Sequence, residues 1–286
     1  MRIVISDNTG YIGNVIEHLL KDGGVDIIPL NKIDGADLSQ PDFWKKIPRA
    51  EHFIHLDSLV HVPSSYDNPY MFYRYNYMTT LNALEYCRKC SCHLIYSGSY
   101  IYGKPDYLPV DECHTIKPFN PYARTKAISE ELCEGYNRDF GVKVSILRLF
   151  NVYGEGQKGG LLLPEILEQI KKGMTKINLK SGSSRRDFVY VEDVAKAFIA
   201  SINDHNDYSI YNICSGSSCS IKELTEIINN ALGNQLSFTF SESDRVNEVD
   251  ETVGSYDKIF NELGWKPKVS LAEGITRTVK SELHIL

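Results

Sequence analysis

Tyr122 and Lys126, four residues apart in NPYARTKAISEEL, are the pair whose types and spacing could move a proton. Pro121 suits the first position of a helix, so both side chains fall on one helical face. An ammonium one turn from a phenol stabilises the phenolate, drawing its pKa down from about 10 toward neutrality. There it can exchange a proton with an alcohol or a carbonyl. Tyrosine and lysine also meet at this spacing by chance, so the pair gains meaning from the elements that position it.

A second candidate lies at the start of the chain. RIVIS, then SDNTGYIG, then an amphipathic run with Ile16, Leu19 and Leu20 on one face read as strand, turn and helix. A turn of this kind brings a dinucleotide's pyrophosphate to a helix N-terminus, and its usual fingerprint carries three glycines. Asp7 holds the place of the first. Gly10 and Gly13 keep the places where backbone closeness matters most, so the sequence predicts a retained site with a polar substitute.

The elements around these candidates alternate. RIVIS, VDIIPL, HFIHL, CHLIYS and KVSILRL read as strands separated by stretches of helical period. That predicts an α/β fold, a doubly wound parallel sheet with helices on both faces, over residues 1–150. Beyond 151 the Gly-rich GEGQKGG and KSGSSRRD separate shorter elements. A smaller α/β part, 151–286, is expected to lean over the carboxyl ends of the strands, with segments such as 187–215 returning to the first.

The 286 residues are 42% hydrophobic and 24% charged, enough for a sizeable core. A formal charge of −6 gives no reason to expect nucleic acid or an anionic membrane as partner. No leader-like segment or membrane-length apolar run is evident, so a cytoplasmic location is expected. The seven cysteines are an odd set that reads as reduced thiols. Among them, CRKCSCH has metal-like spacing but lacks a second ligand pair, so no metal is expected.

The sequence resembles the extended short-chain dehydrogenase/reductases of the branch that modifies nucleotide-activated sugars. The resemblance rests on the N-terminal turn, HLDS, YNYMTTLNALEY, YSGSYIYG, YARTK, LRLFNVYGEGQ, RRDFVYVEDVAKAF, YNICSGSSCSIKEL and LGWKPKVSLAEGI, in that order along the chain. It implies that Tyr122 is the acid/base and that Lys126 lowers its pKa and bonds the nicotinamide ribose. It implies that Gly10, Tyr11, Ile12 and Gly13 meet the pyrophosphate, Asp37 and Leu38 the adenine, and Leu56, Asp57 and Ser58 lie beneath the cofactor. Asn76, Ser97 and Phe150 would border the cofactor, whereas Tyr100, Asn151, Arg186 and Arg245 would face the nucleotide sugar. Some have simpler readings: Asn76 as a bridge to backbone, Phe150 as core, Arg186 as a partner of Asp187.

Departures from the pattern narrow the chemistry. Gly98 stands where many relatives have the serine or threonine that polarises the sugar oxygen, so Ser99, or failing it Ser97, must supply the hydroxyl. Dehydratases of this branch have an Asp-Glu pair next, and here Ser99 and Tyr100 follow, which disfavours elimination of water. Asn31 and Lys32 end the second strand where an acid would bind ribose hydroxyls, favouring NADP(H) over NAD(H). The leading expectation is reduction of the 4-keto group of a dTDP-, UDP-, GDP- or CDP-linked deoxyhexose. A C4 epimerase with tightly bound NAD is the alternative, and a non-catalytic NADP-binding regulator is the alternative of another class. The resemblance also implies a homodimer.

Overall fold

The computed structural model describes residues 1–31, 37–241 and 249–285. Five strands lie where the alternation predicts: β1 (Arg2–Ser6), β2 (Asp26–Leu30), β3 (His52–His55), β4 (His93–Ser99) and β5 (Val144–Leu149). Between β5 and the sixth sheet strand the chain forms β6 (Asn151–Tyr153), β7 (Lys176–Leu179), β8 (Arg185–Arg186) and β9 (Phe188–Tyr190). That sixth strand, β10 (Tyr208–Ile213), comes from beyond residue 151 and pairs with β5. The parallel sheet runs β2-β1-β3-β4-β5-β10. Its order reverses between the two neighbours of β1, which opens a crevice at the carboxyl ends of β1 and β3.

Alternating residues divide the sheet between two helical layers. Ile3, Ile5, Ile54, Ile95 and Leu147 pack with α1 (Tyr11–Asp22) and α6 (Val191–Ser201). Val4, Phe53, Leu94, Tyr96 and Ile146 pack on the other face with α3 (Pro69–Cys90) and α4 (Pro121–Phe140). A short α2 (Val62–Asp67) precedes α3, and α5 (Leu162–Lys171) follows β6. A third core joins α5 to α7 (Ile221–Ala231) and, beyond α8 (Asp257–Leu263), to α9 (Leu271–Leu283), with Tyr11, Ile12 and Val15 of α1 packed against it. Short pairs flank it: β6 with β9, β8 with β11 (Cys219–Ser220), and β7 with β12 (Ser237–Phe240). Cys87, Cys92 and Cys133 are buried in the second core as free thiols. Among the described residues no helix is long and apolar enough to cross a membrane.

The N-terminal turn shows how Asp7 replaces a glycine. Its φ is 55°, in the left-handed region that Asp tolerates better than most residues. Asp7 N–H donates to Leu30 O at 2.7 Å and Asp7 O accepts from Gly10 N–H at 2.8 Å, closing the turn. Gly13 has no such freedom, because a Cβ there would lie 2.2 Å from Asp7 O. Gly13→Ala is therefore expected to destabilise the protein by about 3 kcal/mol, the upper end for overpacking. Its urea midpoint would fall accordingly.

Candidate active site

The start of α4 is fixed by its cap: the Asn120 side chain accepts Ala123 N–H at 2.7 Å, with Pro121 in the first turn. Tyr122 thereby stands beside the carboxyl ends of β4 and β5. A cavity of about 470 Å³ opens there, and Ser99, Tyr100, Tyr122, Phe150, Asn151 and Arg186 all line it. These six come from four separate motifs of the sequence. Val62, Tyr66, Phe119, Val249 and Thr252 complete the wall. They sit on the short α2 and on irregular loops, where no periodicity marks them, so sequence reasoning missed them.

Ser99 and Tyr122 face the same cavity. Burial raises the phenol above its ordinary value, and the nearby Ser99 side chain opposes that rise. The Lys126 side chain is anchored to β4. Its Nζ donates to Ser97 O at 2.9 Å and lies 5.0 Å from the centre of the Tyr96 ring. Burial pushes the ammonium down to about 8, against the raising effect of Asp57 and Glu130. The two side chains thus take their pKa shifts from different neighbours.

The reason for Gly98 lies behind the strand. Arg148 and Glu130, both nearly inaccessible, pair at 2.7 Å, and Arg148 Nε reaches both Glu130 oxygens at 3.1 and 3.2 Å. A Cβ on Gly98 would come within 3.1 Å of Glu130 Oε1 and 3.0 Å of Leu147 O. A side chain at Gly98 would therefore crowd the pair, and the next residue, Ser99, lines the cavity.

In the crevice, Gly10, Tyr11, Ile12 and Gly13 form the start of α1, with no acidic residue in its first turn. The first N–H groups of a helix lack intrahelical partners and favour an anion. The Tyr11 side chain turns into the third core, its hydroxyl buried without a hydrogen-bond partner. Asn31 donates to Asn8 Oδ1 at 3.3 Å, tying the end of β2 to the turn. Leu56 N–H and Asp57 N–H both donate to Ser6 Oγ, at 2.9 and 3.0 Å, and the Asp57 carboxylate accepts Tyr75 OH at 2.6 Å. Asp37 caps its own turn by accepting Ser39 N–H and Oγ–H. Leu38 is core, its carbonyl taken by Trp44 and Asn82. Lys32 and Arg245 lie outside the described residues.

Asn76 and Arg186 are both held by backbone carbonyls. Asn76 accepts Leu59 N–H at 2.7 Å and donates to Leu59 O and Thr125 Oγ1, so it bridges the loop after β3 to α4. Both of its N–H groups are engaged, which makes it a brace for the crevice. Arg186 is no mere partner of Asp187: its Nη1 donates to Val249 O at 2.6 Å and to Arg185 O at 2.8 Å. Asp187 instead accepts from Ser215 N–H, Ser215 Oγ–H, Gly216 N–H and Gly254 N–H, clamping three segments around the cavity. Asn151 Nδ2 donates to Asp187 O at 3.1 Å. Ser58 Oγ, in the loop after β3, and Thr252 Oγ1, at the cavity, are buried without a partner. With the open start of α1, the orphaned Ser58 hydroxyl fits a polar dinucleotide in the crevice.

The family model described as GDP-mannose 4,6 dehydratase matches residues 2–278. The chain belongs to this family of extended short-chain dehydrogenase/reductases. A putative UDP-glucose 4-epimerase of Methanocaldococcus jannaschii is 35% identical over 97% of each chain. GDP-6-deoxy-D-mannose reductase of Pseudomonas aeruginosa is 27% identical over 96% of this chain and 94% of its own. The solved structure of RMD from Pseudomonas aeruginosa complexed with NADPH superposes with a TM-score of 0.90 at 25% identity, covering 100% of this chain and 98% of the other. This family member is thus an NAD(P)-dependent enzyme of the nucleotide-sugar reductase and epimerase group. None of the described residues lining its cavity is a carboxylic acid.

The packing behind Gly98 yields a test of the site's construction. In Gly98→Ser the added atoms must displace Glu130 from Arg148. The expected cost is about 1–3 kcal/mol in urea unfolding. The same variant is expected to lose activity, although it adds a hydroxyl next to Ser99.

Proposed function

We propose that this enzyme reduces the 4-keto group of a nucleotide-linked deoxyhexose, with Tyr122 as the proton donor. The observation that carries the reading is the meeting of Ser99 and Tyr122 on the wall of one cavity whose described lining holds no carboxylic acid. A nicotinamide cofactor supplies the hydride when bound. Tyr122, kept neutral at pH 7 by burial, gives its proton to the oxygen developing at C4. Ser99 holds that oxygen, and the Lys126 cation stabilises the charge. Arg186 meets the nucleotide diphosphate, work suited to a planar fork of donors. Elimination of water would need a positioned acid and base, so 4,6-dehydration fits poorly despite the family's description.

In this reading residues 1–150, with 187–215, hold the cofactor, and 151–286 mainly hold the nucleotide sugar. Gly10, Tyr11, Ile12 and Gly13 take the pyrophosphate, Asp37 and Leu38 border the adenine, and Leu56 to Ser58, Ser97 and Phe150 lie along the rest of the dinucleotide. NADP(H) is favoured over NAD(H), because Asn31 rather than an acid ends β2. Asp7 and Asp37 oppose that preference, since their charges reach Tyr75 on the same side of the crevice. Tighter binding of NADPH than of NADH is therefore expected, and the reverse order would show that the two aspartates prevail. A cytoplasmic homodimer accompanies the reading, with exposed Tyr70 and Tyr77 of α3 and Phe140 of α4 as apolar surface for pairing.

The second reading is a C4 epimerase of a nucleotide sugar with retained NAD, favoured by the 35% identity to the Methanocaldococcus jannaschii protein. Incubation with dTDP-4-keto-6-deoxyglucose and NADPH, followed at the reduced-nicotinamide band, separates the two. Loss of absorbance is expected, reduced about 10²–10⁴-fold by Tyr122→Phe and about 10²-fold by Ser99→Ala. Conversion of a UDP-hexose to its C4 epimer with no cofactor consumed would establish the epimerase instead.

A further inference from the structure

Helix ends fray, and Tyr122 sits in the first turn of α4. The Glu130–Arg148 pair holds that helix two turns further on and sets it against β5. What sets its first turn against the loop after β3 is a separate chain of hydrogen bonds. Leu59 N–H donates to Asn76 Oδ1 at 2.7 Å, and Asn76 Nδ2 donates to Leu59 O at 3.0 Å and to Thr125 Oγ1 at 2.9 Å. Thr125 Oγ1 in turn donates to Tyr122 O at 2.7 Å.

The directions in this chain are fixed. Leu59 N–H can only donate, so the Asn76 amide cannot be turned over and its NH₂ must serve Thr125. The Thr125 hydroxyl therefore accepts from α3, and its single proton is left for Tyr122 O. A threonine hydroxyl often bonds a carbonyl of its own helix. Here it also receives a bond from a second helix, which turns a local contact into a tie between α4, α3 and a loop. The tie is shielded from solvent, with Asn76 1% exposed and Thr125 2%. One turn along both helices a second rung supports it, where Thr80 Oγ1 lies 2.9 Å from Asn76 O and 3.2 Å from Ser129 Oγ. At its other end, Leu59 follows Ser58, the residue with the orphaned hydroxyl in the crevice.

We propose that Thr125 is a positioning residue, whose hydroxyl carries the placement of the loop after β3 to the main chain of Tyr122. The proposal rests on the reading of Tyr122 as proton donor. Without that hydroxyl the loop keeps its two bonds to Asn76 and the helix keeps Glu130, so only the join between them loosens. Hydride and proton go to the two ends of one C=O bond, and a loose join therefore costs turnover more than it costs binding.

The test is Thr125→Val, which keeps the shape and removes both bonds. In a variant shown to be folded by urea titration, kcat with NADPH and a nucleotide-linked 4-keto-6-deoxyhexose should fall about tenfold or more. The Kd for NADPH should stay unchanged, and the solvent deuterium isotope effect on kcat should rise as proton transfer becomes the slower step. Thr125→Ser, which keeps the hydroxyl, should restore kcat. Thr125→Ala serves if Thr125→Val does not fold, and the same comparison is read on C4 epimerisation if that is the reaction. An unchanged kcat in the folded variant, while Tyr122→Phe abolishes turnover, overturns this proposal alone. A fall in kcat matched by an equal loss of NADPH affinity, with no rise in the isotope effect, overturns it in favour of a purely structural role. Turnover unchanged in Tyr122→Phe overturns the reading of Tyr122 and this proposal with it.

Discussion

Behind the cavity, Glu130 grips the Arg148 guanidinium through contacts of 2.7 to 3.2 Å, both side chains almost wholly out of water. Breaking such a pair by removing one partner typically costs about 3–5 kcal/mol, because a charge is then stranded. It therefore locks α4 to β5, with β4 between their ends. Tyr122, Lys126 and Glu130 follow one another at four-residue spacing on α4, so fixing the last fixes the other two. The lock extends further: Arg148 Nη1 donates to Tyr102 OH at 2.9 Å, and Tyr102 OH donates to Asn212 Oδ1 at 2.6 Å. Asn212 lies on β10, so the strand contributed from beyond residue 151 is tied to the same network.

That constraint explains a departure the sequence leaves puzzling. With Glu130 pressed against the back of Gly98, no side chain fits there without displacement, and the hydroxyl beside Tyr122 comes from the next residue. The cavity that results is rich in hydroxyls and aromatic rings. It suits proton and hydride exchange at a carbinol carbon better than elimination, although the chain belongs to a family described by a dehydratase.

What could be read beforehand was local. The five strands and the start of α4 at Pro121 follow from periodicity and turn chemistry, whereas the site roles of Ser99, Tyr100, Tyr122, Phe150, Asn151 and Arg186 were implied by the family resemblance. What could not be read depends on distant partners. The left-handed backbone of Asp7 is set by its bonds to Leu30 and Gly10, the turn of Lys126 toward Ser97 by β4, and the bracing role of Asn76 by Leu59 and Thr125. β10 lies within the 187–215 segment expected to return to the first part, but its pairing with β5 is a tertiary event. Val62, Tyr66 and Val249 reach the cavity from segments whose composition carries no signal.

The central claim is that the cavity delivers a hydride to C4 of a nucleotide-linked sugar while Tyr122 supplies the proton. It is tested most directly by a single turnover with NADPH deuterated at the transferred position and a nucleotide-linked 4-keto-6-deoxyhexose, the product being read by NMR. The account predicts one deuterium at C4 of the sugar, none elsewhere, and no transfer in the Tyr122→Phe variant. Deuterium retained on the cofactor, or found at another carbon of the sugar, would contradict it.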